Sequence, residues 1–334
     1  MSIRDLCARC EDERALRLGL LAEIQRVVPF DAFAWILTDP ETEVGTAPVA
    51  DVPCLAELPR LIRLKYATSL NRWTTQCAPV VRLGAVTAGS LDQSLLWSEM
   101  LQDHGVTDIA SVVFRDRYGC WSFLDLWRIG GVFTDAEETR LAALTAPVTG
   151  ALRRCAAASF KPALDSATTP HKGPIVLILD SELAVMAQTP DTDDYLRVLL
   201  PPEGDAVPVP AAAYNVAAQL IANENRVDDH PPIARVRLDL TDWLTLRAAR
   251  IDRNIAVSIE SSSIADRQAV FCRATGMTTR EREILRLIAT GADTRTIADK
   301  MFLSEHTVQD HLKSMFTKSD ARSRKELVAR VSGR

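Results

Sequence analysis

MTTREREILRLIATGADTRTIADKMFLSEHTVQDHLKSMFTKSDARSRKELVARV, residues 277–331, reads as four helices in close succession. Thr278 with Glu281 three residues on forms a capping box, and Ile284, Leu285 and Ile288 supply one apolar face behind it. Gly291 stands where a left-handed helix end is required, and Asp293 or Thr294 caps the next helix. That second helix is short, places Ile297, Ala298 and Met301 on its inner side, and ends at Phe302. Ser304 caps a third helix striped by Val308, Leu312 and Met315. Only Phe302-Leu303-Ser304 separates helices two and three, a turn short enough to cross them steeply as in a helix-turn-helix. The fourth helix, about 323–331, turns Leu327, Val328 and Val331 inward.

A major groove admits one α-helix, so the outward face of the third helix is the candidate reader of sequence. It carries Thr307, Gln309, Asp310 and Lys313. Gln can pair with adenine through two bonds, Lys with guanine, and Asp can accept from cytosine. Lys318, Arg322 and Arg324 are placed to hold phosphates, and the helix start at Ser304 offers backbone N–H donors to the same end. His306 and His311 read as surface and packing residues, and Glu281 as structural.

The spacing Thr278-x-Arg280-Glu281-Arg282-Glu283, then Gly291, Ile297-Ala298, Ser304-x-x-Thr307-Val308, His311-Leu312, Lys318 and Arg322-Ser323-Arg324 closely resembles the LuxR-type helix-turn-helix family over about 276–331. The resemblance implies double-stranded DNA as the partner, with bases read chiefly by Gln309, Asp310 and Lys313. Thr307 and Lys318 would then contact the backbone. The last helix is a common dimer surface in the family, so a homodimer is expected. Two departures stand out: Thr294 where Asn is frequent, and Ser319-Asp320 where Leu-Gly is frequent.

Charge agrees with a small DNA-contacting tail on a larger body. Residues 275–334 hold 12 Lys and Arg against 8 Asp and Glu, a net of +4, which leaves −9 for the rest of a chain whose total is −5. A basic module on an acidic body suits contact with phosphates through the tail. At 334 residues, 47% hydrophobic and 25% charged, the chain is ordinary in composition and long enough for two or three compact units. The longest aliphatic run, Ile175 to Leu179, is too short to span a bilayer, and the charged N-terminus offers no apolar signal-peptide core. A cytoplasmic protein without membrane contact is expected.

Upstream, a helix over 12–28, a strand over 33–37, helices near 57–69 and 90–102, strands over 109–114 and 120–127 and a long helix from Thr134 to about 158 make an α+β unit with an antiparallel sheet. Thr134 and Glu137 form a second capping box, and Pro147 is a kink site. This order resembles a GAF domain, assigned to 1–160. A polar linker is expected at 161–173. Strands at 175–179 and 184–187, helices at 191–199 and 211–225, and strands at 234–240, 243–250 and 255–260 give a second α+β unit over 174–262 that resembles a PAS domain. A linker helix, 264–274 within 263–275, leads into the all-α tail at 276–334, with Phe271 as its packing contact. The fold class is therefore multidomain: GAF-like, PAS-like and LuxR-type helix-turn-helix.

Several kinds of control can be set aside. A phosphorelay receiver needs an alternating parallel βα pattern that is absent, and no Gly-x-x-x-x-Gly-Lys-Ser/Thr phosphate loop occurs. Trp73 lacks the tyrosine partner of acyl-lactone sensors. Trp35, Trp121, Phe123 and Trp127 read as core, and nothing signals haem, flavin or another cofactor. GAF and PAS modules usually bind a small molecule between sheet and helices or dimerise, so a small-molecule effector is expected and no enzyme activity. Seven cysteines without an export signal read as reduced thiols. Cys7-x-x-Cys10 has metal-ligand spacing but lacks the remaining ligands, so no metal is expected, and it leaves a redox role open. The competing reading is a GAF-based thiol enzyme or redox sensor using Cys54, Cys77 and Cys120 with the DNA-binding tail appended.

Overall fold

The computed structural model describes residues 2–8, 12–160, 175–199, 210–237 and 243–333. The linker expected at 161–173, Cys10 and the end of the strand expected over 234–240 lie outside them. After α1 (Ile3–Ala8), α2 (Glu13–Val27) starts at Asp12, whose carboxylate accepts from the N–H groups of Arg14 and Ala15. The first sheet consists of β1 (Ala32–Thr38), β2 (Gly45–Asp51), β3 (Val80–Arg82), β4 (Asp108–Asp116) and β5 (Gly119–Arg128), in the antiparallel order β2-β1-β5-β4-β3. Between β2 and β4 run α3 (Leu58–Ala67), α4 (Leu83–Val86) and α5 (Leu95–Glu99). The long α6 (Asp135–Ala158) follows, its capping box complete at Thr134 and Glu137, and it continues through Pro147.

Two strands are absent from the sequence reading, β2 and β3. Both are edge strands, and an edge strand is where a proline such as Pro48 is tolerated. The helix expected near 90–102 is instead the short α5 between two tight helical turns, Leu91–Gln93 and Leu101–His104. The turn expected at 115–119 joins β4 to β5. Gly119 is required there, since a Cβ would lie 2.2 Å from the carbonyl oxygen of Pro40.

One face of this sheet is covered by α2 and α6, whose Leu20, Ile24, Val148 and Leu152 meet Trp35, Phe114, Leu124 and Leu126. The other face meets α3 and α5 through Leu61, Leu64 and Leu96 against Ala32, Ile109 and Trp127. Full burial of such aliphatic side chains contributes roughly 1.5–3 kcal/mol each. The four aromatics read as core are indeed buried, on both sides of the sheet.

The second sheet is built from β6 (Ile175–Leu179), β7 (Val185–Gln188), β8 (Ile233–Arg237), β9 (Trp243–Ile251) and β10 (Asn254–Ser261), in the antiparallel order β7-β6-β10-β9-β8. Counted within each unit, the order is that of the first sheet. Between β7 and β8 lie α7 (Thr192–Leu199) and α8 (Ala211–Glu224). From Ala211 to Gln219 every residue of α8 is buried, which an ordinary one-faced surface helix never shows. The reason is that α8 lies on its own sheet on one side and against the first unit on the other, where Val44 and Tyr66 join its core. Its run of alanines permits that close approach.

Ion pairs finish the junction. Arg72 and Thr74 of the first unit bond Asp228 Oδ2, each at 2.6 Å, and Asp228 also accepts from His230 Nδ1 at 2.6 Å. The buried Asp39 accepts the Arg235 backbone N–H at 2.9 Å.

The linker helix α9 (Ile264–Ala274) is held at both ends. Near its start Asp266 pairs with Arg247 at 3.2 Å and Arg235 at 3.4 Å, and near its end Arg273 bonds Glu41 at 3.0 Å. Phe271, expected as a packing contact, is buried edge-on against Phe160, which stacks on Trp243. Those three rings share one apolar core with the tail, so the tail is continuous with the body.

Candidate nucleic-acid interface

The tail consists of α10 (Thr279–Ala289), α11 (Thr294–Met301), α12 (Glu305–Ser319) and α13 (Arg324–Ser332). Each cap read from the sequence is present. Thr278 N–H donates to Glu281 at 2.6 Å and Glu281 N–H to Thr278 Oγ1 at 3.3 Å. Gly291 takes φ +85°, the left-handed region in which a side chain would be strained. Of the two candidates, Asp293 is the cap of α11, accepting from Thr296 N–H at 2.8 Å. Ser304 caps α12 through Thr307 N–H at 3.0 Å.

Ile284, Leu285, Ile288, Ile297, Ala298, Met301, Val308, Leu312, Met315, Leu327 and Val331 close into one buried cluster. With the inner face of α12 so fixed, Gln309, Asp310 and Lys313 are forced outward and are all exposed. Asp310 sits between two bases, 3.4 Å from Lys313 Nζ and 3.6 Å from His306 Nε2. Gln309 Nε2 reaches back to Thr294 Oγ1 at 3.2 Å. Thr307 is half-buried, its hydroxyl 2.8 Å from that of Ser304.

Three residues read as phosphate holders differ in situation. Arg322 is exposed. Arg324 is half-buried and donates to Thr294 Oγ1 at 2.7 Å, which gives the threonine in place of the frequent asparagine a positioning role. Lys318 donates to both oxygens of Glu281, at 2.7 and 2.9 Å, and Glu281 is buried. Burial alone would raise the Glu281 pKa, but the bonds from Lys318, Ser314 and Thr278 outweigh it and hold the carboxyl below its ordinary value. This one carboxylate thus ties the start of α10 to the middle and end of α12.

The exit of α12 is resolved by a residue that sequence reading missed. Ser319 is buried where Leu is frequent, its hydroxyl on Met315 O at 2.7 Å, and Asp320 takes the left-handed position, φ 56°. The buried Arg330 of α13 then donates to the carbonyls of Ser319 and Asp320 and to Glu326, closing the helix end that Leu-Gly would have closed. Only its position late in the last helix could have hinted at this.

Residues 275–331 match the family model of bacterial regulatory proteins, luxR family. The tail is a LuxR-family helix-turn-helix. It is the DNA-binding domain of regulators in that family. No curated protein matches the chain. A crystal structure of Escherichia coli SdiA aligns over 97% of this chain and 91% of that one, at 12% identity and a TM-score of 0.35, too loose a likeness to transfer anything.

Outside this LuxR-family domain, the described residues include five free cysteines, 7, 54, 77, 120 and 272, while Cys155 is disulfide-bonded, a departure from the expectation of reduced thiols throughout. Burial pushes the Cys54 thiol up to about 11 and Cys120 up to about 12, the reverse of what a nucleophilic thiolate needs. Asp228, Asp229 and His230 come together near the α8–β8 turn, but Asp228 is already engaged by Arg72, Thr74 and His230. Among the described residues no helix is long and apolar enough to cross a membrane.

Proposed function

We propose that this chain is a sequence-specific transcription regulator that binds double-stranded DNA as a homodimer through α12. Gln309, Asp310 and Lys313 read base edges, Thr307, Lys318, Arg322 and Arg324 hold the backbone, and the two upstream units set how the tail is presented. The observation that carries this is the outward, exposed stripe of Gln309, Asp310 and Lys313 on a helix whose opposite side is locked in the core. Two helix-flanked antiparallel sheets of the same strand order support reading the units as GAF-like and PAS-like sensory modules. Their role is to answer a small molecule or to hold the dimer, with no catalytic step and no cofactor, in the cytoplasm. A shift of a few kcal/mol between two arrangements of the tail is enough for such control.

Duplexes selected from a random library by the full-length protein, followed by fluorescence anisotropy over a salt series, test the reading. One recovered consensus, bound far more tightly than scrambled duplex, is the expected result. Equal affinity for all duplexes would overturn it.

A further inference from the structure

In the first sheet β2, β1 and β5 place Ala50, Ala34 and Asp125 side by side in register, with Ala32 opposite Trp127 two residues along. Residues two apart on a strand share a face, so these small side chains lie on the face covered by α3. Alanines beside a tryptophan leave a hollow, a cavity of about 50 Å³ lined by Ala34, Ala50, Pro48, Leu61 and Trp127. Its lining also includes Ala211 and Asn215 from the first turns of α8, a helix of the second unit. A water-sized group needs roughly 10–15 Å³, so the space takes several such groups.

The polar groups at one end are already neutralised. Lys65 Nζ lies 2.8 Å from Asp125, both side chains are buried, and Asp125 also accepts from Trp73 Nε1 at 2.8 Å and from Ser111. With both charges already paired, a second charge brought in would be buried without a partner, at a large desolvation cost. Among the fully buried polar atoms of the lining, one donor has no partner. The indole N–H of Trp127, a side chain 2% exposed, has no hydrogen-bond partner among the described residues. Buried donors are satisfied in native proteins with few exceptions, and each exception calls for an explanation.

We propose that this cavity binds a small, uncharged, mainly apolar molecule whose single hydrogen-bond acceptor is met by Trp127 Nε1. Calling that molecule the effector rests on reading the upstream units as sensory. The site itself rests only on the cavity and the unsatisfied donor. An occupant would press on Ala211 and Asn215 of α8, which the two units share, so filling the site is communicated to their junction.

Cyclopentanone, a compact ring with one carbonyl acceptor, is the probe, titrated into full-length ¹⁵N-labelled protein. The indole resonance that vanishes in Trp127→Phe should shift saturably in the wild type. By ligand-observed relaxation, Trp127→Phe should bind cyclopentanone about five-fold more weakly, the worth of one hydrogen bond, while cyclopentane binds both proteins alike. Ala34→Leu, or Ala50→Val as a milder filler, should abolish binding of both molecules without lowering the melting temperature. No saturable shift at Trp127, or equal weakening of both molecules in Trp127→Phe, overturns the site. Binding that leaves affinity for the selected duplex unchanged upholds the site and overturns the effector role.

Discussion

Lys318 Nζ lies 2.7 Å from Glu281 Oε2, joining the last turn of α12 to the first turn of α10. A lysine expected to contact the DNA backbone is thereby also a strut that sets the angle of α12 against α10. Glu281→Gln keeps the shape but removes the charge, and should destabilise the tail by about 1.5–3 kcal/mol, the range for hydrogen bonds to charged groups. Urea unfolding followed by circular dichroism measures it, and no loss would show that the strut is idle.

The same carboxylate makes an acid-sensitive element. Its folded pKa is lowered, so its stabilisation is present above the unfolded value of about 4.3 and lost as pH falls through the lower folded value. Wild-type tail stability should therefore fall on acidification below about pH 4 more steeply than that of Glu281→Gln. Parallel slopes for the two proteins between neutral and acid pH would contradict this.

Base reading and phosphate holding can be separated. Lys313→Ala should weaken specific binding by about 1–3 kcal/mol and relax preference at one base pair, whereas Arg322→Ala should weaken all duplexes alike and lower the salt slope by about one. Anisotropy titrations over a salt series distinguish the two. An unchanged Lys313→Ala protein would remove that residue from the reading face.

Arg330→Met should cost about 2–3 kcal/mol, because the Ser319 and Asp320 carbonyls and Glu326 lose their donor inside the tail. Differential scanning calorimetry reads the loss. DNA affinity should fall with it, since the exit of α12 is then free to fray.

His230 at the junction of the two upstream units offers an opposite pH dependence. Its hydrogen bond to Asp228 raises its pKa, with burial opposing and Glu43 and Asp229 assisting. A raised pKa contributes stability fully present below the unfolded value of about 6.5 and lost as pH rises through the folded value. Hydrogen exchange around Asp228 should accordingly quicken at alkaline pH beyond its ordinary base catalysis, and His230→Gln should abolish that excess.

The tail was legible because its signals are local. A capping box acts across three residues, the left-handed Gly291 sits just past its helix, and the apolar stripes repeat within a turn, so each element of 277–331 carries its own instructions. β2 and β3 were not legible, since an edge strand with Pro48 in it lacks the alternation that marks a central one, and it exists because β1 pairs with it. Nor could the string of residues place Arg72 on Asp228, Arg235 on Asp39, Lys318 on Glu281 or Arg330 on the end of α12. Those contacts join different elements, from 10 to 196 residues apart, and charge or burial at each end says nothing of which partner the packing will bring. Side-chain chemistry and short-range backbone bonding thus settle where α12 lies and which of its residues face outward, while the packing of sheets and helices settles which cations brace the fold, as Lys318 does, and which stand exposed, as Lys313 does.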